Sequence, residues 1–173
     1  RNPYSTDTSP NQGATSWPST TWQQGGATVW GWISYDPELD LIYHGTSNPG
    51  PWNGAQRPGD NKWSAAIIAR DVNTGEMVWA FQPTPHDVWD YDAVNENILV
   101  DLPINGATRK ALVHFDRNGF AYTIDRATGE VILAKPYVPM NWSSGVDLKT
   151  GRPVLNPAKM TNSAPKVSNI CPS

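Results

Sequence analysis

Thiol chemistry in the 173-residue chain is confined to one cysteine, Cys171. A single cysteine excludes an internal disulfide framework and a thiolate zinc site. An excess of charge of one sign is also missing. Thirteen Lys and Arg face sixteen Asp and Glu, for a net charge of −3. That balance argues against an electrostatic footprint for nucleic acid or an anionic membrane. No apolar run approaches the length of a transmembrane helix, and no segment sustains a 3.6-residue apolar period over helical length. No signal peptide is seen. The start at Arg1 and the stop at Cys171-Pro172-Ser173 are expected to be the cut ends of a longer polypeptide.

What remains is rich in Trp and turn formers. Nine Trp oppose disorder, because disordered chains are poor in aromatics. Fourteen Gly and sixteen Pro make up about one residue in six, below the level of a low-complexity chain. Residues 1–25 hold mostly Ser, Thr, Pro, Asn and Gln and read as an irregular surface segment. Short β-like runs follow at Val29–Tyr35, Leu39–His44, Ser64–Ala69, Met77–Phe81, Ile98–Leu102, Ala111–Phe115, Ala121–Ile124 and Val131–Ala134, with Asn, Asp, Gly and Pro between them. The fold class expected is all-β.

A repeat runs through these strands. Asp71-Val72-Asn73-Thr74-Gly75-Glu76 returns 54 positions later as Asp125-Arg126-Ala127-Thr128-Gly129-Glu130, and again as Asp147-Leu148-Lys149-Thr150-Gly151. The D-x-x-T-G pattern predicts a hairpin turn: the Asp side chain accepts from turn amides and Gly takes the positive φ that closes it. Trp79 should pack from the strand that follows. Hairpin units repeating at about 50 residues suggest propeller blades, and the chain supplies roughly three. A ring of four to eight blades needs more, so residues 26–173 are expected to be part of a longer propeller.

Chemistry is concentrated in loops rich in Asn, Asp, Trp and Gly: residues 25–32, 45–53, 57–63, 84–92 and 114–119. In a propeller such loops line the mouth of the central channel. Asp and Asn oxygens suit a hard cation, and Trp faces suit a flat ring.

The order W-G-W, G-T-S-N-P-G-P-W-N, R-P-G-D-N-K-W, the D-x-x-T-G-x-x-x-W repeat, T-P-H-D-x-W-D and D-R-N-G resembles the pyrroloquinoline quinone (PQQ)-dependent alcohol dehydrogenases, methanol dehydrogenase large subunits above all. The similarity runs from about Gly25 to the end. It implies part of an eight-bladed β-propeller in a periplasmic enzyme, homodimeric at full length, with a metal beside the quinone. The implied reaction oxidises methanol or another primary alcohol to the aldehyde and passes electrons to cytochrome c.

The resemblance also implies residue roles. Trp30 matches the Trp on which the PQQ ring stacks, and Thr28 a Thr that hydrogen-bonds the cofactor. Asn48 matches the Asn whose side-chain oxygen binds the metal, although an Asn before Pro is also an ordinary turn former. Asp90 matches the catalytic Asp, which also reaches the metal. Arg117 matches a basic residue that hydrogen-bonds the quinone oxygens and stabilises negative charge during reduction. Asp92 departs from the calcium enzymes, where the residue two beyond the catalytic Asp is small. On a β-like segment Asp90 and Asp92 would face the same side and reach one cation. The added carboxylate favours a trivalent lanthanide over Ca²⁺, as in the lanthanide-dependent branch of the family.

The other motif residues read as structural. Trp32 is expected in the core; Trp52, Trp63, Trp79 and Trp89 between blades; His44, His86 and His114 as space-filling. Cys171 resembles a family Cys whose disulfide partner lies further along. The family's metal-binding Glu and its adjacent-cysteine disulfide are expected before residue 1, so the isolated chain should be inactive. Two alternatives stay open: a dehydrogenase for ethanol or longer alcohols, and a non-catalytic β-propeller scaffold with the same repeats.

Overall fold

The computed structural model describes residues 13–161 and 169–172. Residues 1–12 of the expected irregular segment lie outside that range. Its described part holds two short 3-10 helices, Ala14–Ser16 and Thr21–Gln24.

Ten strands follow. The first four, β1 (Ile33–Asp36), β2 (Leu41–Gly45), β3 (Ile67–Asp71) and β4 (Met77–Phe81), pair antiparallel in chain order. The next four, β5 (Asn97–Ile104), β6 (Ala107–Phe115), β7 (Phe120–Asp125) and β8 (Val131–Pro136), repeat that up-and-down order. A hairpin of β9 (Ser143–Asp147) and β10 (Arg152–Leu155) follows. The three D-x-x-T-G turns sit at equivalent places, joining β3 to β4, β7 to β8 and β9 to β10.

The turns are built as their composition requires. The Asp71 carboxylate accepts from the amides of Asn73 (2.8 Å) and Thr74 (2.9 Å). Asp125 does the same for Ala127 and Thr128, both at 3.0 Å. Gly75, Gly129 and Gly151 have φ of +73°, +79° and +67°, a region costly for a residue with a Cβ. The two-residue loop between β5 and β6 is Asn105-Gly106, with positive φ at both positions, as a type I′ hairpin demands. That turn lengthens β5 and β6 beyond the expected runs.

Two predicted strand starts are corrected. The run from Val29 becomes strand only at Ile33, because residues 26–28 pair instead with residues 47–49, and Gly31 (φ +85°) breaks the extended backbone. The run from Ser64 becomes strand only at Ile67, because Ser64 closes a turn on the Asn61 carbonyl and Ala65 is left-handed.

One core joins the two sheets. Trp79 is 1% exposed and its indole N–H donates to the Arg126 carbonyl at 3.0 Å. The Tyr43 hydroxyl donates to the same carbonyl at 2.9 Å. A Cβ on Gly129 would stand 2.8 Å from the Trp79 ring, so the second turn lies flat on the Trp of the preceding sheet. Truncating a buried Trp of this kind costs about 3–5 kcal/mol. Beside it, the Arg126 guanidinium donates to Asp36 (2.6 Å) and Asp101 (2.7 Å), tying β1 to the second sheet. The Ser34 hydroxyl donates to the Asn97 carbonyl at 2.6 Å, so the first strands of the two sheets lie side by side.

Not every aromatic packs as expected. His44 and His114 are buried, and Trp89 stacks on Tyr91 and leans on Trp142. Trp63 is half-buried against Ile68, Met77 and Ala80. Trp32, expected in the core, is 66% exposed, because it precedes β1, an edge strand with one unpaired side. Trp52, expected between blades, is 61% exposed on the loop leaving Asn48.

Candidate metal and cofactor site

Three loops converge at one end of the first sheet. The loop before β1 carries Thr28 and Trp30, the loop after β2 carries Asn48, and the loop before β5 carries Asp90 and Asp92. Two glycines let them meet. A Cβ on Gly45 would fall 1.8 Å from the Ala93 carbonyl oxygen, and one on Gly31 would fall 2.4 Å from that of Val94. Only a residue without a side chain tolerates such approach. Backbone bonds then lock the loops: Ala27 N–H to the Asn48 carbonyl (2.9 Å), Ser47 N–H to the Thr28 carbonyl (3.0 Å) and Ala93 N–H to the Thr46 carbonyl (3.1 Å).

Asp92 is the node of the site. It is 3% exposed, and its Oδ1 accepts from the Asn48 backbone N–H at 2.6 Å. Its Oδ2 accepts from Arg117 Nη1 at 3.0 Å. Three residues separated widely in sequence, Asn48, Asp92 and Arg117, are thus in direct contact. Burial pushes the Asp92 carboxyl above the usual range, and Asp90 adds repulsion, while the Asn48 N–H and Arg117 oppose both. The neighbouring Asp90 is half-buried and its carboxylate accepts no hydrogen bond from any described residue.

The backbone under this pair corrects the expectation of a strand. Residues 90–94 lie in a loop, and Asp90 and Asp92 have φ of +69° and +58°. Left-handed backbone costs a non-glycine residue about 1–2 kcal/mol, least for Asp and Asn. The two carboxylates are brought close by this conformation and not by the two-residue period of a strand.

Asp87 holds that conformation; it stands in the T-P-H-D-x-W-D motif, but neither the motif nor the resemblance gave it a role. It is 1% exposed. Its Oδ1 accepts from Trp89 N–H (2.9 Å) and its Oδ2 from Tyr91 N–H (2.9 Å) and Asp92 N–H (3.2 Å). Burial, the largest influence, pushes its carboxyl up to about 6 in spite of these donors. The available signal was an Asp followed two residues on by an amide it can cap.

Arg117 sits on the turn Asp116–Gly119. Asp116 Oδ1 accepts from Asn118 N–H at 2.8 Å, and its Oδ2 faces His114 Nε2 at 3.2 Å. Asn118 donates to Thr84 and Tyr122 and accepts from the Trp142 indole through its carbonyl. This buried network under the turn leaves Arg117 itself half exposed, aimed at Asp92.

Thr28 and Trp30 are exposed, Trp30 by 53%. The structure brings them to the Asn48 loop through the Thr28–Ser47 backbone pairing, and no hydrogen bond joins either side chain to Asp90, Asp92 or Arg117. A separate cavity lined by Lys62, Trp63, Gln82 and Arg152 lies between the first sheet and the β9–β10 hairpin, and none of the site residues lines it. Cys171 is a half-buried free thiol whose Sγ donates to the Pro139 carbonyl.

The donor set suits a hard, highly charged cation. Two carboxylates stand together, one of them buried, and Arg117 is the cation that pairs with Asp92. The Asn48 side-chain oxygen accepts no hydrogen bond from a described residue, and each Asp92 oxygen has a second lone pair beyond the bond it already accepts. A bound cation would offset the burial and the Asp90 repulsion that together push Asp92 up. Among the described residues no group of three His, Cys, Asp or Glu side chains gathers, so the chain offers two carboxylates and an amide and no complete carboxylate cage.

Known proteins are similar to this chain. The chain is 53% identical over 165 residues to a lanthanide-dependent methanol dehydrogenase of Methylacidiphilum fumariolicum (strain SolV), covering 95% of this chain and 27% of that one. It is 48% identical to methanol dehydrogenase [cytochrome c] subunit 1 of Paracoccus denitrificans, covering 94% and 26%. A solved europium-containing methanol dehydrogenase superposes with a TM-score of 0.90 at 53% identity, covering 92% of this chain and 28% of that one. The chain thus spans about a quarter of the length of these relatives. The model of the PQQ glucose/ethanol/alcohol dehydrogenase β-propeller domain matches residues 4–163. The chain therefore belongs to the PQQ-dependent alcohol dehydrogenase family, and its four-stranded sheets are blades of that family's propeller.

Proposed function

We propose that the protein oxidises methanol to formaldehyde as part of a periplasmic, homodimeric quinoprotein that passes electrons to cytochrome c. A lanthanide ion would be held by Asn48, Asp90 and Asp92, and PQQ by Trp30, Thr28 and Arg117. The observation that supports this best is the contact of Asp92 with both Asn48 and Arg117, with Asp90 beside it. Likeness to the lanthanide-dependent relative adds to it.

PQQ, bound together with a Lewis-acidic cation, would supply the hydride acceptor. The chain's residues do the rest. Asp90 takes the proton of the substrate hydroxyl at its carboxylate, as a general base. Among the described residues none donates to it, which leaves that carboxylate available. Arg117 holds positive charge where negative charge develops, with Asp92 fixing its guanidinium. Trp30 presents a broad apolar face suited to stacking on a planar ring. Asn48, fixed by its backbone bond to Asp92, keeps its amide oxygen for the cation.

Two measurements on the full-length protein test this reading. Its visible absorption should show a quinone band, and a scaffold would show none. Its kcat/KM should be higher for methanol than for ethanol; the reverse order would assign it to longer alcohols.

A further inference from the structure

The R-P-G-D-N-K-W motif is not used by the proposed chemistry, yet its Arg57 is one of the most deeply buried residues, 1% exposed. Every arm of its guanidinium is engaged. Nε donates to the Pro51 carbonyl (2.8 Å), Nη1 to Asn61 Oδ1 (2.8 Å), and Nη2 to the carbonyls of Trp52 (3.3 Å) and Asp87 (2.6 Å). Asn61 returns a bond from its Nδ2 to the Arg57 carbonyl at 2.9 Å. Pro51 and Trp52 lie just beyond Asn48 on the same loop. Asp87 begins the segment that carries Asp90 and Asp92, and its carboxylate gathers the three amides of Trp89, Tyr91 and Asp92.

We propose that Arg57 and Asp87 are positioning residues that together set the separation between the Asn48 oxygen and the Asp90–Asp92 carboxylates. This rests on the reading that these three side chains hold the cation. Arg57 fixes one loop against the other through main-chain carbonyls. Asp87 then imposes the left-handed backbone at Asp90 and Asp92, which neither residue would adopt unaided. An Arg is needed because its planar fork reaches three loop carbonyls and an amide oxygen at once, which an ammonium cannot. The alternative is that the pair only stabilises the blade, as the Asp36–Arg126 ion pair does. The two roles predict different dependence of metal binding on mutation.

The test uses the full-length enzyme as wild type, Asp87→Asn, Arg57→Lys and, as a stability control, Asp36→Asn. Each apoprotein is titrated with Eu³⁺ and followed by europium luminescence, with decay in H₂O and D₂O counting coordinated waters, and its Tm is measured. Asp87→Asn keeps the size of the side chain but puts an N–H donor against backbone N–H groups. We expect it to weaken Eu³⁺ about 10- to 100-fold, the range for residues that orient metal ligands, and to admit at least one more water to the ion. Arg57→Lys should weaken Eu³⁺ about 10-fold, and it carries the same decision should Asp87→Asn not accumulate. Asp36→Asn should lower Tm while leaving Eu³⁺ affinity within threefold of wild type. Unchanged Eu³⁺ affinity and hydration in both Asp87→Asn and Arg57→Lys, with a lower Tm, would overturn the positioning role. Equal weakening in Asp36→Asn would do the same. A wild type that binds no Eu³⁺ would instead remove the metal reading itself, a separate and distinguishable failure.

Discussion

The Asp92 carboxylate receives the backbone N–H of Asn48 at 2.6 Å across 44 positions of chain. This bond joins the loop that ends β2 to the loop that precedes β5. The other oxygen of the same carboxylate holds Arg117 from the second blade. One buried side chain therefore links Asn48, assigned to the cation, with Arg117, assigned to the quinone. Replacing Asp92 by Ala should free both loops and leave Arg117 without its partner. Lanthanide-dependent methanol oxidation by the full-length enzyme should fall at least 100-fold, read as kcat at saturating La³⁺. Retention of more than a tenth of wild-type activity would contradict the role given to Asp92.

Packing between blades rests on Gly129. Ala at this position would place its Cβ 2.8 Å from the Trp79 ring and take a side chain into φ +79°. The ring is wedged by its own hydrogen bond to Arg126 and cannot retreat. Gly129→Ala should cost about 2 kcal/mol or more, from the left-handed backbone and the overlap together. Chemical denaturation of the full-length enzyme measures it, and Gly106→Ala, where a Cβ meets nothing within 4 Å, isolates the backbone part.

The Asp36–Arg126 pair is the electrostatic counterpart. Both side chains are buried, 2% and 6% exposed. Asp36→Asn leaves Arg126 with Asp101, which is far more exposed, and should destabilise the protein by about 3 kcal/mol. Because the pair lies away from Asp90 and Asp92, methanol kinetics should change little in the folded fraction.

Stability should fall on the acid side. Burial pushes the Asp36 carboxyl up, but Arg126 and the amides of Glu38 and Leu39 outweigh it and hold it below its ordinary value. Arg152 does the same for Asp60, by a two-point contact that fastens the β9–β10 turn to the first blade. A carboxyl lowered on folding stabilises fully above its unfolded pKa, about 3.9. That contribution is lost as pH drops from there through the folded value. Tm should therefore decline below about pH 4, and Asp60→Asn should remove part of that decline. No change in the acid limb with Asp60→Asn would sink this assignment.

Much of the architecture was legible in the sequence because it is local. An Asp that caps its own turn, a Gly four residues later and an aromatic on the next strand specify the hairpins, and Trp79 packs where its repeat position implies. The structure brings Asn48, Asp92 and Arg117, which the motifs place far apart in sequence, into one contact. Other features were hidden for physical reasons. Asp90 and Asp92 look like alternating strand residues, but a buried carboxylate at Asp87 bends them into left-handed backbone. Arg57 has no side-chain signal that marks its role, because its acceptors are mostly main-chain carbonyls, which leave no mark on side-chain composition. The exposure of Trp32 follows from a strand edge, which no local pattern reports.

The central claim is that Asp90 and Asp92 together hold a trivalent ion. The most direct measurement is methanol oxidation by metal-free full-length enzyme reconstituted with PQQ and either La³⁺ or Ca²⁺, for wild type and for Asp92→Ala. The account predicts strong activity with La³⁺, little with Ca²⁺, and loss of the La³⁺ advantage in Asp92→Ala. Equal or greater wild-type activity with Ca²⁺, or full La³⁺ activity without the Asp92 carboxylate, would contradict it.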